Sequence, residues 1–200
     1  MLAASTLPDL TEQDYLAGEK LASVRHEYVD VKVYAMACTS LRHNDIAMNI
    51  SFALRAAARG TPCKVNVSDV KVRVEHSKAY YYPDVMVGCE RSEADAYYLD
   101  KPCLIVEITS KSTEWIDRHQ KTLAYQTINS LQAYLIVAQD KQQVTLYVRD
   151  STKTWEVGLY DQAEQTLFLP CLDTKLSLSS IYEGIDFNQT TTEIDIPIKP

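Results

Sequence analysis

No two cysteines of this chain stand in a C-x-x-C spacing. The five that occur, Cys38, Cys63, Cys89, Cys103 and Cys171, are odd in number and widely spread. That distribution argues against a disulfide framework and against a zinc site, and fits a reducing compartment. No apolar run approaches the ~18 residues of a membrane span, and residues 1 to 20 lack a basic segment followed by an apolar one. A cytoplasmic, unanchored protein with no membrane partner is the expectation. No G-x-S-x-G stretch occurs, so a serine hydrolase would lack its nucleophile setting. Glycine is scarce, at 5 of 200 residues, and there is no repeat, linker or low-complexity tract. These absences leave one expected domain over residues 1–200, with a core from about 12 to 186.

Positive charge is also in deficit. Lys and Arg number 20 against 27 Asp and Glu, a net charge of -7, so the chain as a whole offers no attraction to nucleic acid or to an anionic membrane. A phosphate-bearing partner must then be met by a local basic patch or by bound cations. What is present is an ordinary globular composition, 46% apolar and 24% charged over 200 residues, long enough to bury a core.

Thr11-Glu12-Gln13-Asp14 is a capping-box pattern that predicts a short helix over 12–20. The alternation in 26–37 predicts a hairpin turning at Asp30 and Val31. Ile46, Ile50, Ala53 and Ala57 recur at helical spacing and predict a long helix over 40–59, ended by Gly60 and Pro62. Strands follow at 63–67 and 69–75. The next stretch, "AYYYPDVMVG", reads as a strand interrupted by Pro83 and Asp84, residue types depleted in strands. Proline cannot donate to a ladder, so pairing is broken there, and such breaks aim side chains into sites. "CLIVEITS" (103–110) is nearly continuous in apolar residues, as a strand covered on both faces would be. A helix over 113–129 and a second apolar strand at 133–139 complete a βαβ unit, which implies a parallel pair at the centre of the sheet. Three further strands and a short helix at 179–184 make up the tail.

Two anomalies carry chemistry. Glu107 is a carboxylate inside the most apolar strand, where it must be paired, protonated or metal-bound; a buried salt bridge is the plain alternative. The stripe Ala124, Ile128, Leu131 of the following helix, extended backwards by helical steps, reaches Lys121 and Asp117. The N-terminal end of that helix lies beside the carboxyl end of the Glu107 strand in a βαβ unit, although Asp117 and Lys121 also make an ordinary i, i+4 surface pair. Two carboxylates such as Asp84 and Glu107 coexist readily around a hard divalent cation, Mg²⁺ or Mn²⁺. Such an ion activates water and polarises a phosphodiester oxygen, while a nearby lysine orients the water and offsets developing charge.

"YYYPDVMV", "CLIVEITSKST", "DRHQKTLAY" and "LQAYLIVAQD" together resemble the Uma2 family (DUF820) of PD-(D/E)XK nuclease-like proteins, with "RHN" (42–44) and "SDVKVRV" (68–74) included and the similarity running from Tyr15 to Asp186. The resemblance implies an α/β restriction endonuclease-like fold, a mixed central sheet flanked by helices with additional strands. It further implies a metal-dependent endonuclease acting on nucleic acid, with DNA the expected substrate and a homodimer the expected assembly. Its acids fall on Asp84 and Glu107, and the backbone carbonyl of Ile108 is an implied further metal ligand. The usual lysine two residues after the second acid is replaced by Thr109. Lys121 on the next helix takes its place, with Lys111 the competitor because it keeps strand parity with Glu107.

That missing lysine and the acidic balance also support a different class, a catalytically inactive module of the same fold that binds nucleic acid or a partner protein. His43 reads as a structural histidine at a helix start, or, by the resemblance, as a group near the substrate. Glu27 is a candidate supporting acid, and Asp69 either a supporting acid or a turn residue. Tyr125, with the tyrosines at 80, 81, 82, 97 and 98, raises base stacking, although strand propensity accounts for the first three equally well. Lys71 and Arg73 alternate on one strand and are either phosphate contacts or solvated.

Overall fold

A computed structural model of the chain describes residues 10–36, 39–90, 97–109 and 117–188, the side chains of Asp117 and Arg118 excepted. Helix α1 (Glu12–Glu19) starts at Thr11, whose hydroxyl oxygen accepts from the Asp14 amide, as the capping pattern requires. Strands β1 (His26–Val29) and β2 (Lys32–Ala35) form the expected hairpin. Asp30 and Val31 both have positive φ, at 53° and 60°, the backbone of a type I′ turn. Helix α2 (Leu41–Ala57) is capped by the Ser40 hydroxyl, which accepts from the His43 amide.

The stretch around Pro83 does not form one strand. It gives β5 (Ala79–Tyr81) and β6 (Val85–Gly88), and these lie in different sheets. Pro83 and Asp84 occupy the crossing, which explains residues poor in strand propensity amid a run rich in it. With β3 (Lys64–Val67), β4 (Lys71–Val74), β7 (Tyr98–Leu99) and β8 (Leu104–Thr109), the chain has laid down most of two sheets. The first has the order β2-β1-β5-β4-β7. Strand β7, not predicted, pairs in parallel with β4 through two residues only.

The larger sheet, order β11-β10-β9-β8-β6-β3, includes β9 (Ala133–Ala138), β10 (Val144–Arg149) and β11 (Trp155–Tyr160). Its central pair β8 and β9 is parallel, from Leu104 opposite Ala133 to Thr109 opposite Ala138. Every residue of both strands is buried, as their unbroken apolar runs predict. The helix expected over 113–129 is different: a π-helical turn (Asp117–Lys121) leads into the short α3 (Thr122–Gln126). The hairpin of β12 (Thr166–Leu169) and β13 (Thr174–Ser177), the latter not predicted, and helix α4 (Leu178–Ile181) complete the described chain.

Strand alternation divides the core. Val85, Val87, Leu104, Val106 and Leu135 face α2, α4 and the β12-β13 hairpin. Met86, Ile105, Tyr134 and Ile136 face the other way, against Val72, Val74 and Tyr81 of the smaller sheet and Tyr125, Ile128 and Leu131 of the α3 segment. Glu107 has the parity of Ile105, so it points into this second layer. Tyr15, Tyr28 and Tyr80 form a third cluster beneath α1.

The cysteines require a correction. Cys63 is bonded to Cys89 and Cys103 to Cys171, whereas the spacing argued against disulfides. Spacing fails because the partners stand 26 and 68 residues apart and meet only through the sheet. Cys38 lies outside the described residues.

Candidate active site

Asp84 sits at the crossing between the sheets, immediately before β6. Its Oδ2 accepts from the amide of Ile108 at 2.7 Å, and His43 Nε2 lies 3.2 Å from its Oδ1. The antiparallel register of β6 on β8 pairs Val85 with Val106, so one step further brings Asp84 opposite Glu107. In an extended strand the N–H and C=O of one residue point to the same side. The Ile108 carbonyl therefore shares the side on which its amide meets Asp84. Thr109, one residue on, faces the opposite way and accepts from the Gln139 amide at 3.1 Å.

Glu107 is 4% exposed and is met by two donors from the segment after β8. Tyr125 donates its hydroxyl to Oε1 at 2.7 Å, and Lys121 Nζ lies 3.3 Å from both carboxylate oxygens. Lys121 also reaches Glu27 of β1, 2.9 Å from its Oε1; that oxygen in turn accepts from the Tyr82 amide at 3.3 Å. One buried ammonium thus lies between a carboxylate from each sheet, an arrangement that offsets the desolvation of all three groups. Burial first, then the charge of Glu107, raises the Tyr125 hydroxyl well above its ordinary value, so it stays protonated and acts as a donor. The Tyr81 hydroxyl is pushed up to about 12 by burial and then by Glu27.

His43, Asp84 and Ile108 thus adjoin a second group of Glu27, Glu107, Lys121 and Tyr125. His43 has its amide on the Ser40 cap, as a histidine at a helix start would, and its ring on Asp84. Asp69 stands apart from these hydrogen bonds: its carboxylate is 78% exposed and pairs with Arg25 at 3.5 Å, as a turn residue would. The side chain of Asp117 and all of Lys111 lie outside what the structure describes. Tyr80, Tyr81, Tyr82 and Tyr125 are buried, which removes them as stacking platforms. Lys71 is buried with its ammonium 3.3 Å from the Tyr82 hydroxyl, and Arg73 is held by Glu12 at 2.7 Å, so neither is a solvated cation. Gln139 was not singled out by the sequence. It ends the apolar run of β9, is buried, and meets the Ser40 hydroxyl at 2.9 Å.

Hard oxygen donors from Asp84, Glu107 and the Ile108 carbonyl are a set suited to Mg²⁺ or Mn²⁺ rather than to a soft metal.

Comparison with known proteins agrees with this fold. The family model of Uma2, described as "Putative restriction endonuclease", matches residues 12–180. An uncharacterized protein of Synechocystis sp., slr1290, is 31% identical over 185 residues, covering 92% of this chain and 97% of its own length. A second Synechocystis protein, sll1609, is 30% identical over 158 residues, or 78% of this chain and 89% of its own. A crystal structure of "a putative nuclease belonging to DUF820" from Anabaena variabilis superposes with a TM-score of 0.70 at 17% identity, over 86% of this chain and 97% of that one. Its likeness extends to the fold, a mixed α/β architecture of the restriction endonuclease type. The chain belongs to the Uma2 family of restriction endonuclease-like proteins.

Proposed function

We propose that the protein is a metal-dependent endonuclease that hydrolyses phosphodiester bonds, with DNA as substrate. The observation that carries this reading is the burial of Lys121 against Glu107, 14 residues earlier in the chain and on a different element. A lysine displaced from the usual strand position is here returned to the second acid.

In this reading Asp84, Glu107 and the Ile108 carbonyl hold Mg²⁺ or Mn²⁺, which supplies an activated water and polarises the phosphate. His43 and the Ile108 amide fix the two oxygens of Asp84, so that carboxylate is oriented before any ligand arrives. Tyr125 fixes Glu107 in the same way. Lys121 keeps its buried ammonium beside Glu107, where it would orient the attacking water and offset the charge that builds on the phosphate oxygens. The acidic surface is compatible with a polyanionic substrate because the cation mediates the contact.

One observation favours the inactive-module reading: Lys121 lies between Glu27 and Glu107, so its charge is already matched. Incubation of the purified protein with plasmid DNA and with single-stranded DNA and RNA, each with Mg²⁺ or Mn²⁺, separates the two. The nuclease reading expects cleavage that EDTA stops and Glu107→Gln abolishes. Cleavage unchanged by that substitution would sink the assigned site. Calorimetric absence of Mn²⁺ uptake dependent on Asp84 and Glu107 would favour the inactive module.

A further inference from the structure

Four cysteines from four separate stretches converge at the end of the larger sheet opposite to Glu107. Cys63 immediately precedes β3, Cys89 follows β6, Cys103 precedes β8, and Cys171 lies in the 3-10 turn (Pro170–Leu172) of the β12-β13 hairpin. Strands β3, β6 and β8 are consecutive neighbours, so three of the thiol-bearing residues end adjacent strands about 5 Å apart. Cys103 is fixed on both sides, its amide donating to the Val87 carbonyl at 2.7 Å and its carbonyl accepting from Gln132 at 2.9 Å.

The two bridges are in contact. Cys89 Sγ is 3.5 Å from Cys103 Sγ and 3.7 Å from Cys171 Sγ, and the sulphurs of Cys89, Cys103 and Cys171 all lie within 4.8 Å of one another. Two staples serving separate loops have no reason to touch. Ligands gathered around one centre do: with zinc–sulphur bonds of about 2.3 Å, the edge of a thiolate tetrahedron is about 3.8 Å, close to the two separations from Cys89, while Cys63, outside that group of three, joins it through its bond to Cys89. The chemistry is that of a soft ligand set, unlike the oxygens of Asp84 and Glu107. An open cleft runs alongside Cys89, Cys103 and Cys171, lined by Lys101, Arg149 and Lys153 and also by Asp150 and by Glu90, 3.3 Å from Lys101.

We propose that in the reduced protein Cys63, Cys89, Cys103 and Cys171 bind one Zn²⁺ as a structural tetrathiolate centre, independent of the candidate active site. Reduction of each bridge by a dithiol such as dithiothreitol consumes two electrons and two protons and yields two thiols. Four thiols then release four protons to solvent on binding one Zn²⁺, and the product carries a net charge of -2. Zinc held this way ties the β12-β13 hairpin to three strand ends at once.

The test is anaerobic titration of the reduced full chain with Co²⁺, followed by displacement with Zn²⁺. The expected result is one equivalent bound, with the near-ultraviolet sulphur-to-cobalt charge-transfer band and visible bands of tetrahedral cobalt, both lost on adding zinc. Cys171→Ser should weaken zinc binding by at least ~10-fold, whereas Asp84→Asn and Glu107→Gln should leave the spectrum intact. Should Cys171→Ser fail to fold, alkylation of the wild-type chain serves instead: one equivalent of zinc should protect four cysteines, identified by mass spectrometry. Absence of the charge-transfer band in the reduced wild-type chain, a band of undiminished intensity and affinity in folded Cys171→Ser, or protection of fewer than four cysteines overturns the proposal.

Discussion

Lys121 Nζ lies closer to Glu27 Oε1, at 2.9 Å, than to Glu107, at 3.3 Å. A residue of the segment after β8 is thereby bound to the first strand of the smaller sheet as well as to the candidate acid. Removing it leaves two largely buried carboxylates without the cation between them. Lys121→Met should therefore destabilise the protein by about 3 kcal/mol, the usual range for breaking a buried pair, and lower cleavage by at least ~100-fold. Urea denaturation and a plasmid-nicking assay measure the two effects. A variant as stable as the parent would mean that the ammonium does not hold these acids.

Tyr125→Phe removes one hydroxyl at a fully buried position and leaves the ring packed edge-on against Tyr81 and Tyr134. Loss of the hydrogen bond to Glu107 should cost about 1–3 kcal/mol, since the acceptor stays buried. Thermal denaturation followed by circular dichroism reads the change. Cleavage should fall less than in Lys121→Met, because the substitution disturbs the orientation of Glu107 and leaves its charge and its lysine in place.

His43→Ala frees Oδ1 of Asp84 while Oδ2 remains on the Ile108 amide. The Ser40 cap uses the backbone of residue 43, so the helix start survives the change. Stability should shift by about 1 kcal/mol or less, and the cleavage rate should drop ~10-fold through loss of orientation. Rates compared at saturating Mn²⁺ and at limiting Mn²⁺ discriminate a misplaced carboxylate from a lost ligand. A stability loss equal to that of Lys121→Met would assign His43 a structural role alone.

Alkaline pH should unfold the protein through its buried tyrosines. An unfolded tyrosine loses its proton near pH ~10, whereas Tyr81 is held to about 12 by burial and by Glu27, and burial and Glu107 raise Tyr125 well above its ordinary value. The folded chain binds these protons more tightly than the unfolded one. Stability from this source is complete below the unfolded value and is lost as pH rises from there through the folded value. Tyrosinate absorbance and circular dichroism recorded together from neutral to strongly alkaline pH should change in one cooperative step. Ionisation of the buried set before any loss of ellipticity would contradict the burial.

The two acids and the lysine were visible in the sequence because each violates a local pattern. Glu107 breaks an apolar run, Pro83 and Asp84 break a strand, and Lys121 extends an apolar stripe. The rest depends on contacts the pattern does not encode. Pro83 announces a break in pairing but not that the chain leaves one sheet for another. Glu27 alternates like any half-buried strand residue, and only the approach of the two sheets brings it to Lys121. Tyr125 has the spacing of a core residue, which it is, and its hydroxyl acquires a purpose only from the carboxylate 18 residues earlier. The π-helical turn before α3 likewise reflects packing rather than propensity. The cysteines show the same limit, because spacing detects local ligand pairs and not residues gathered by strand order.

Cys103 immediately precedes strand β8 and Glu107 lies near its exit, four residues and so about 13 Å apart. It is a short beam fastened at both poles, with sulphur at one and oxygen at the other. Every residue of the strand is buried, so the length of one strand separates a soft ligand set from a hard one.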